Sequence, residues 1–173
     1  GGVKPEEIKA IGISYQMHGL VIVDKKGQVL RPAIIWCDSR AASIGDQAFS
    51  LIGQEKCLTR LLNSPGNFTA SKLKWVQENE PQIYEKTYKA MLPGDFVAMM
   101  MTGEMRTTFS GLSEGILWDY KQQELADLVL DHYGISREMV PEVVPTFSKQ
   151  GELTKKAAEE LGYVPNSIAI SLS

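Results

Sequence analysis

The sequence has few of the residues that most often carry chemistry. Among 173 residues there are two histidines and two cysteines, and aromatic residues make up 8%. Cys37 and Cys57 lie far apart, with neither a CxxC nor a histidine at ligand spacing. That pattern opposes a disulfide framework or a zinc site and fits two reduced thiols in a cytoplasmic protein. No apolar run reaches the roughly 18 residues of a membrane span, and no charged-then-apolar leader opens the chain, so no membrane association is expected. Neither sign of charge dominates: 18 Lys and Arg face 21 Asp and Glu, for a formal net charge of −3. No basic run with interleaved aromatics occurs, so nucleic acid is not an expected partner. GxxxxGK[ST], GxGxxG after a strand and GxSxG are also missing, which removes three common phosphate-binding and nucleophile motifs.

What is present describes a globular domain with one substantial core, 43% hydrophobic and 23% charged. The residues Ile8 to Ser14, Leu20 to Asp24 and Gln28 to Trp36 read as strands, the last two joined through Lys25-Lys26-Gly27 as a tight hairpin. The period then changes. Asp38 or Ser39 is positioned to cap a helix with apolar positions Ile44, Ala48, Leu51 and Ile52. Further helices are expected over Lys56 to Leu62, from Thr69 to Pro81, over Gln82 to Tyr88, over Asp95 to Met101, and over Glu124 to His132 with Gly134 as terminator. Thr154 caps a last helix through Leu161, and the apolar run Ser167 to Leu172 reads as a lone strand. Strands, many helices and a closing strand predict an α/β sheet with an inserted helical lobe. The strand candidates at the two ends are expected to pair with segments outside this sequence, leaving edges through which the isolated chain self-associates.

Four places could carry chemistry. Gln16-Met17-His18-Gly19 interrupts two apolar runs with an amide, a soft apolar side chain and an imidazole. Ligands collect at strand ends in open α/β folds, and an amide and an imidazole both donate and accept, which suits sugar or polyol hydroxyls. The competing reading of His18 is a half-buried histidine satisfied by backbone. Asp38 and Arg40 stand two apart at a strand-to-helix junction, either as a helix cap with its ion pair or as a wall of the same pocket. The stretch Phe68 to Val76 offers hydroxyls at a helix start and an aromatic inside it, which an N-cap and a core tryptophan explain better than a site does. His132, near a helix end, suits the helix dipole and is assigned no site.

Taken together, the motifs resemble those of a known family. "GISYQMHGLVIVDKKGQVLRPAIIWCDSR" is similar to the stretch G-I-x-x-Q-M-H-G followed by R-P-A-I-x-W-x-D-x-R in the xylulokinases of the FGGY carbohydrate kinase family. "FTASKLKWVQENEPQIY" resembles F-T-x-x-K-L-x-W with its Asn-Glu-Pro, and "MLPGDFVAMMMTGE" resembles L-P-K-D-Y-L…L-T-G-E. Tyr15 stands where relatives often carry Gly or another small residue, Gly94 replaces the usual Lys of L-P-K-D, and Asn67 stands at a signature position more often filled by Gly or an aromatic.

The resemblance implies an actin-like ATPase, ribonuclease H-like fold, of which residues 1–173 are part of the N-terminal FGGY kinase domain with a helical insertion. Members are about three times as long as this chain, as two domains require. The resemblance also implies transfer of the γ-phosphoryl of ATP to D-xylulose, with Mg2+, in a longer parent protein. Met17 and His18 would touch the sugar, with Gln16 in the same loop and Asp38 and Arg40 lining or bracing the pocket. A D-x-G-T phosphate loop is expected upstream and the catalytic aspartate beyond Ser173, so no catalytic residue, nucleotide site or metal ligand is assigned to this chain. The alternatives are a kinase for another sugar or polyol, or a non-catalytic sugar-binding module.

Overall fold

The structure, a computed structural model, describes residue 2, residues 4–163 and residues 169–172. Strand β1 (Ala10–Ile13) and strand β2 (Val21–Val23) flank the loop that holds His18. Helices α1 (Ala42–Ile52), α2 (Gln54–Arg60) and α3 (Thr69–Asn79) follow. Pro81 lacks an N–H and suits a first helical turn, so it opens the short helix α4 (Pro81–Tyr84). Strand β3 (Lys89–Met91) leads through Pro93 into α5 (Pro93–Thr102), which ends on a left-handed Gly103 with φ 78°.

Strand β4 (Arg106–Thr108) runs directly into α6 (Phe109–Glu114), because the Thr108 hydroxyl accepts from the Gly111 N–H and caps the helix. The hairpin β5 (Trp118–Asp119) and β6 (Glu124–Leu125) precedes α7 (Asp127–Tyr133), which left-handed Gly134 terminates. The chain continues through β7 (Glu142–Val144), β8 (Lys149–Glu152), α8 (Lys155–Leu161) and β9 (Ala169–Leu172). Among the described residues no helix is long and apolar enough to cross a membrane.

Among the described residues the core falls into three clusters, the smallest being Val21, Val23, Met91 and Met99, where β2, β3 and α5 meet. The largest joins Leu20, Ile22 and Ile34 of the β2 hairpin to Leu73 and Val76 of α3, Leu112 of α6 and Leu130 of α7. The other lies under the three-stranded sheet of order β1-β9-β8, where Ile170 and Leu172 meet Ala98 of α5 and Ala158 of α8. Helix α1 passes so close to the loop before α3 that a Cβ on Gly45 would sit 1.9 Å from the Gly66 carbonyl oxygen, so only glycine fits there.

The α/β class and the helical lobe agree with the expectation, and so do the caps Thr154, Gly134 and Gly162. Several local expectations do not. The end strands are not left for outside partners alone: β1 pairs with β9 in parallel, Ile11 opposite Ile170, and β9 pairs antiparallel with β8. The closing strand is therefore central and not lone, because long-range pairing is invisible to a local pattern; Ser167 and Ile168 of that run lie outside the described residues. Neither Asp38 nor Ser39 caps α1, which begins at Ala42 with Ala41 before it. The expected ion pair does form: the Asp38 carboxylate accepts from the Arg40 backbone N–H and guanidinium. Leu51, expected on the buried face, is 74% exposed.

The expected strand Gln28 to Trp36 survives only as bridges, Leu20 to Ile34 and Val23 to Val29, and the main partner of β2 is β3. Strands β3 to β8 and helix α6 had no counterpart in the sequence reading. They are short segments with no clear period.

Candidate functional site

The loop between β1 and β2 is held by side chains of other elements. His18 has φ 62°, the left-handed region that costs a non-glycine residue energy. Its carbonyl oxygen, turned inward, accepts from Lys72 Nζ at 2.8 Å, and the same amine donates to the Ile35 carbonyl at 3.0 Å. Lys72 is fully buried within α3, and burial pushes its amine down from its ordinary value while Asp38 and Cys37 pull it back up. At the start of the same helix, Thr69 Oγ1 donates to the Gly19 carbonyl at 3.1 Å. The first turn of α3 thus fixes two successive carbonyls of the loop.

The His18 ring is fixed as well. Its edge meets the Phe68 face with centroids 4.2 Å apart, and Nδ1 lies 2.8 Å from the Glu114 carbonyl oxygen of α6. A carbonyl only accepts, so Nδ1 carries the proton, and in the neutral ring Nε2 keeps a lone pair for another partner. Both readings of this histidine therefore hold in part. It has a backbone partner, and it still presents a free nitrogen.

Two adjoining clefts open here. One, of about 290 Å³, is lined by Ser14, Tyr15, Met17, Ser110, Ser113 and Glu114 among others. The other, of about 310 Å³, is lined by Met17, His18, Asn63, Phe68, Glu114 and Tyr120 among others. Both are small, at the low end of ligand sites. Tyr120 donates to Ser113 Oγ at 2.8 Å between them. His18, Leu62 and Ile116, three of the five described non-glycine residues with positive φ, line the second cleft. Strain of this kind costs about 1–3 kcal/mol per residue and gathers where structure serves binding. Hydroxyls, an amide, a carboxylate and an imidazole around the apolar Met17 and Phe68 suit a polyhydroxylated ligand, whose hydroxyls need both donors and acceptors.

Of the residues singled out from sequence, Met17 and His18 line the clefts, Met17 being 52% exposed. Gln16, in the His18 loop itself, and Asp38 and Arg40, on the loop before α1, line neither cleft. Gln16 Oε1 accepts from the Trp36 N–H at 3.3 Å, and Asn67 Nδ2 donates to the Asp38 carbonyl at 2.7 Å. Arg40 donates from Nη2 to Asp38 at 2.7 Å and stacks over the Trp75 ring, 4.6 Å from its centroid. Its guanidinium holds the Asp38 carboxyl at about 2, well below the ordinary range. These three brace the strand-to-helix junction beside the His18 loop.

Sequence reasoning passed over Ser110, Ser113, Glu114 and Tyr120, because α6 was not recognised. Thr108 as cap and Gly115 as terminator were its available signals. It also passed over Lys72, although a lysine at a position flanked by buried Ala70, Leu73 and Val76 is an anomaly that asks for a partner.

Behind the clefts, Asp95 of α5 is wholly buried. One carboxylate oxygen accepts from the Leu92 N–H at 3.0 Å, and the other meets no partner in hydrogen-bonding geometry. Burial pushes its carboxyl up to about 7 against the pull of the Leu92 N–H and the nearby Thr107 hydroxyl.

Residues 1–172 match the family described as "FGGY family of carbohydrate kinases, N-terminal domain". The chain is 35% identical over 158 residues to the xylulose kinase of Escherichia coli (strain K12), covering 91% of this chain and 32% of that one. The crystal structure of a xyloylose kinase from Brucella ovis superposes with a TM-score of 0.80 at 28% identity, over 98% of this chain and 34% of the other. The gluconate kinase of Lactobacillus acidophilus shares the fold, with a TM-score of 0.84 at 19% identity, over 96% of this chain and 35% of that one. The chain thus spans about a third of the length of the relatives it matches. A fold of this likeness, the motifs in their order and a match along nearly its whole length agree: the chain belongs to the FGGY family of carbohydrate kinases.

Proposed function

We propose that this chain is part of the N-terminal domain of an ATP-dependent kinase that phosphorylates a ketopentose, D-xylulose, and that the His18 clefts bind the sugar. The observation that carries the reading is the double fixing of His18. Lys72 holds its backbone, the Glu114 carbonyl holds Nδ1, and Nε2 is left to accept from a sugar hydroxyl. Glu114 Oε2, 3.6 Å from the same Nδ1, and the Ser113 hydroxyl would engage neighbouring hydroxyls. Gln16, Asp38 and Arg40 would act through the loop, as positioning residues. Relatives named xylulose kinase support the choice of sugar. The likeness to a gluconate kinase favours a second reading, a kinase for another polyhydroxylated substrate on the same clefts.

ATP supplies the phosphoryl group, and Mg2+ its charge neutralisation, in kinases of this kind. Among the described residues, no group of three or more His, Cys, Asp and Glu side chains is gathered as a metal site. No residue of this chain is assigned to the Mg·ATP complex. The part of the cleft residues is to bind and orient the sugar hydroxyls and to shield them from water.

The test is phosphorylation of D-xylulose by the full-length polypeptide. Turnover is expected there, and none above a blank with residues 1–173 alone. His18→Ala in the full-length protein should remove one buried hydrogen bond to the sugar, worth about 1–3 kcal/mol, and lower kcat/KM roughly five- to 150-fold with the KM for ATP unchanged. An unaltered kcat/KM for every sugar would reduce His18 to a structural residue.

A further inference from the structure

Tyr15 lines the first cleft, half-buried, and its ring occupies a slot that two glycines from different helices leave open. A Cβ on Gly94, at the start of α5, would lie 2.2 Å from Tyr15 Cδ1 and 2.3 Å from Cε1. A Cβ on Gly111, in α6, would lie 3.1 Å from the Tyr15 hydroxyl. Neither glycine has a positive φ, so what each contributes is room for the ring rather than backbone freedom. The ring packs with the apolar cluster of Ile11, Ile13 and Ile170, and its hydroxyl lies beside Gly111, which lines the same cleft. Tyr15 and Gly94 are, moreover, two of the three positions, with Asn67, at which the motifs depart from the pattern they resemble, and these two touch.

We infer that Tyr15 is a specificity-determining residue of the sugar cleft: its ring limits the length of sugar admitted, and its hydroxyl donates to a sugar hydroxyl opposite Glu114. This rests on the sugar-binding reading above. Burial, then the charges of Asp95 and Glu114, pushes the phenol up from its ordinary value, so the hydroxyl keeps its proton and acts as a donor. Glu114, across the same cleft, supplies the acceptor. A small residue at 15 would deepen the cleft at its β1 end, and a ring held between two helices does not swing aside to make that space.

The experiment compares kcat/KM of the full-length polypeptide for glycerol, D-xylulose and D-fructose, a triol, a ketopentose and a ketohexose. Tyr15→Ala should raise the ketohexose-to-ketopentose ratio by roughly tenfold or more, in the range a hydrophobic wall discriminates. Tyr15→Leu, which refills the apolar slot but is shorter, should shift the ratio in the same direction and keeps the test available if Tyr15→Ala does not fold. Tyr15→Phe should leave the ratio unchanged and lower kcat/KM for the best sugar about two- to tenfold, the worth of one neutral hydrogen bond. Ratios unmoved by both Ala and Leu, or all sugars reduced by a common factor, would overturn the inference. A wild type that prefers glycerol or fructose would instead sink the xylulose reading and leave the ratio test intact.

Discussion

The His18 clefts and the β1-β9-β8 sheet are built in opposite ways. Around the clefts, irregular loops are held by single side chains reaching to backbone carbonyls: Lys72 to His18 and Ile35, Thr69 to Gly19, Asn67 to Asp38 and His18 to Glu114. In the sheet, the backbone ladder and an apolar underside share the load among many residues. A ladder has no irreplaceable member, whereas a loop pinned by one amine has one. Sensitivity to substitution should therefore be concentrated at the clefts and diffuse in the sheet. Tyr15 stands where the two meet, with its ring in the sheet's apolar cluster and its hydroxyl at the cleft.

The sharpest way to break that contrast is Lys72→Met. The side chain is similar in bulk, but two part-buried carbonyls lose their donor, at about 1–3 kcal/mol each. A loss of about 2–6 kcal/mol in urea unfolding is expected, with the His18 loop released; a loss below that of an average surface substitution would mean water replaces the amine.

Asp95, which lies between the two regions, gives the next effect. Its folded pKa of about 7 lies above the ordinary unfolded value near 3.9, so the folded state holds a proton that the unfolded state has released. Its contribution is complete below about pH 4, is lost as pH rises to about 7, and is level above that. Asp95→Asn should remove this slope and gain roughly 2–4 kcal/mol relative to wild type between pH 4 and 7.5. Parallel pH profiles of thermal unfolding for the two proteins would show that Asp95 is ionised throughout.

The smallest effect belongs to the sheet. Among the described residues β1 pairs on one side only, and Gly12 on it is exposed, with no atom within 4 Å of where a Cβ would stand. An edge of this kind recruits other strands, and a lysine there opposes it. Gly12→Lys should lower self-association of residues 1–173 in light scattering while changing stability by less than about 0.5 kcal/mol. Unchanged scattering would place the association elsewhere.

Some of this was legible in the residues themselves. Gln16-Met17-His18-Gly19 stood out because bulky polar groups interrupt two apolar runs, and Met17 and His18 do line the clefts. Thr154, Gly134 and Gly162 announced helix ends through cap chemistry, which acts within a few residues. For Asp38 the sequence offers a helix cap together with a pair to Arg40; the pair forms and the cap does not, since α1 begins only at Ala42. Helix α6 is two turns at most, too short for a period to declare itself, and with it went Ser110, Ser113 and Glu114.

The amino-acid order by itself determined the α/β class, the helical lobe, the family motifs and the position of the His18 loop, because these rest on periods, caps and short patterns that act locally. Only the tertiary structure decided that β9 is a central strand paired with β1, that Lys72 is the clamp beneath His18, and that Gly94 and Gly111 make the slot for Tyr15. Each of those joins residues more than 50 positions apart or on separate elements, as Lys72 and His18 are, 54 apart. Their energy comes from excluding water and filling space between distant segments, and no local pattern carries a record of it.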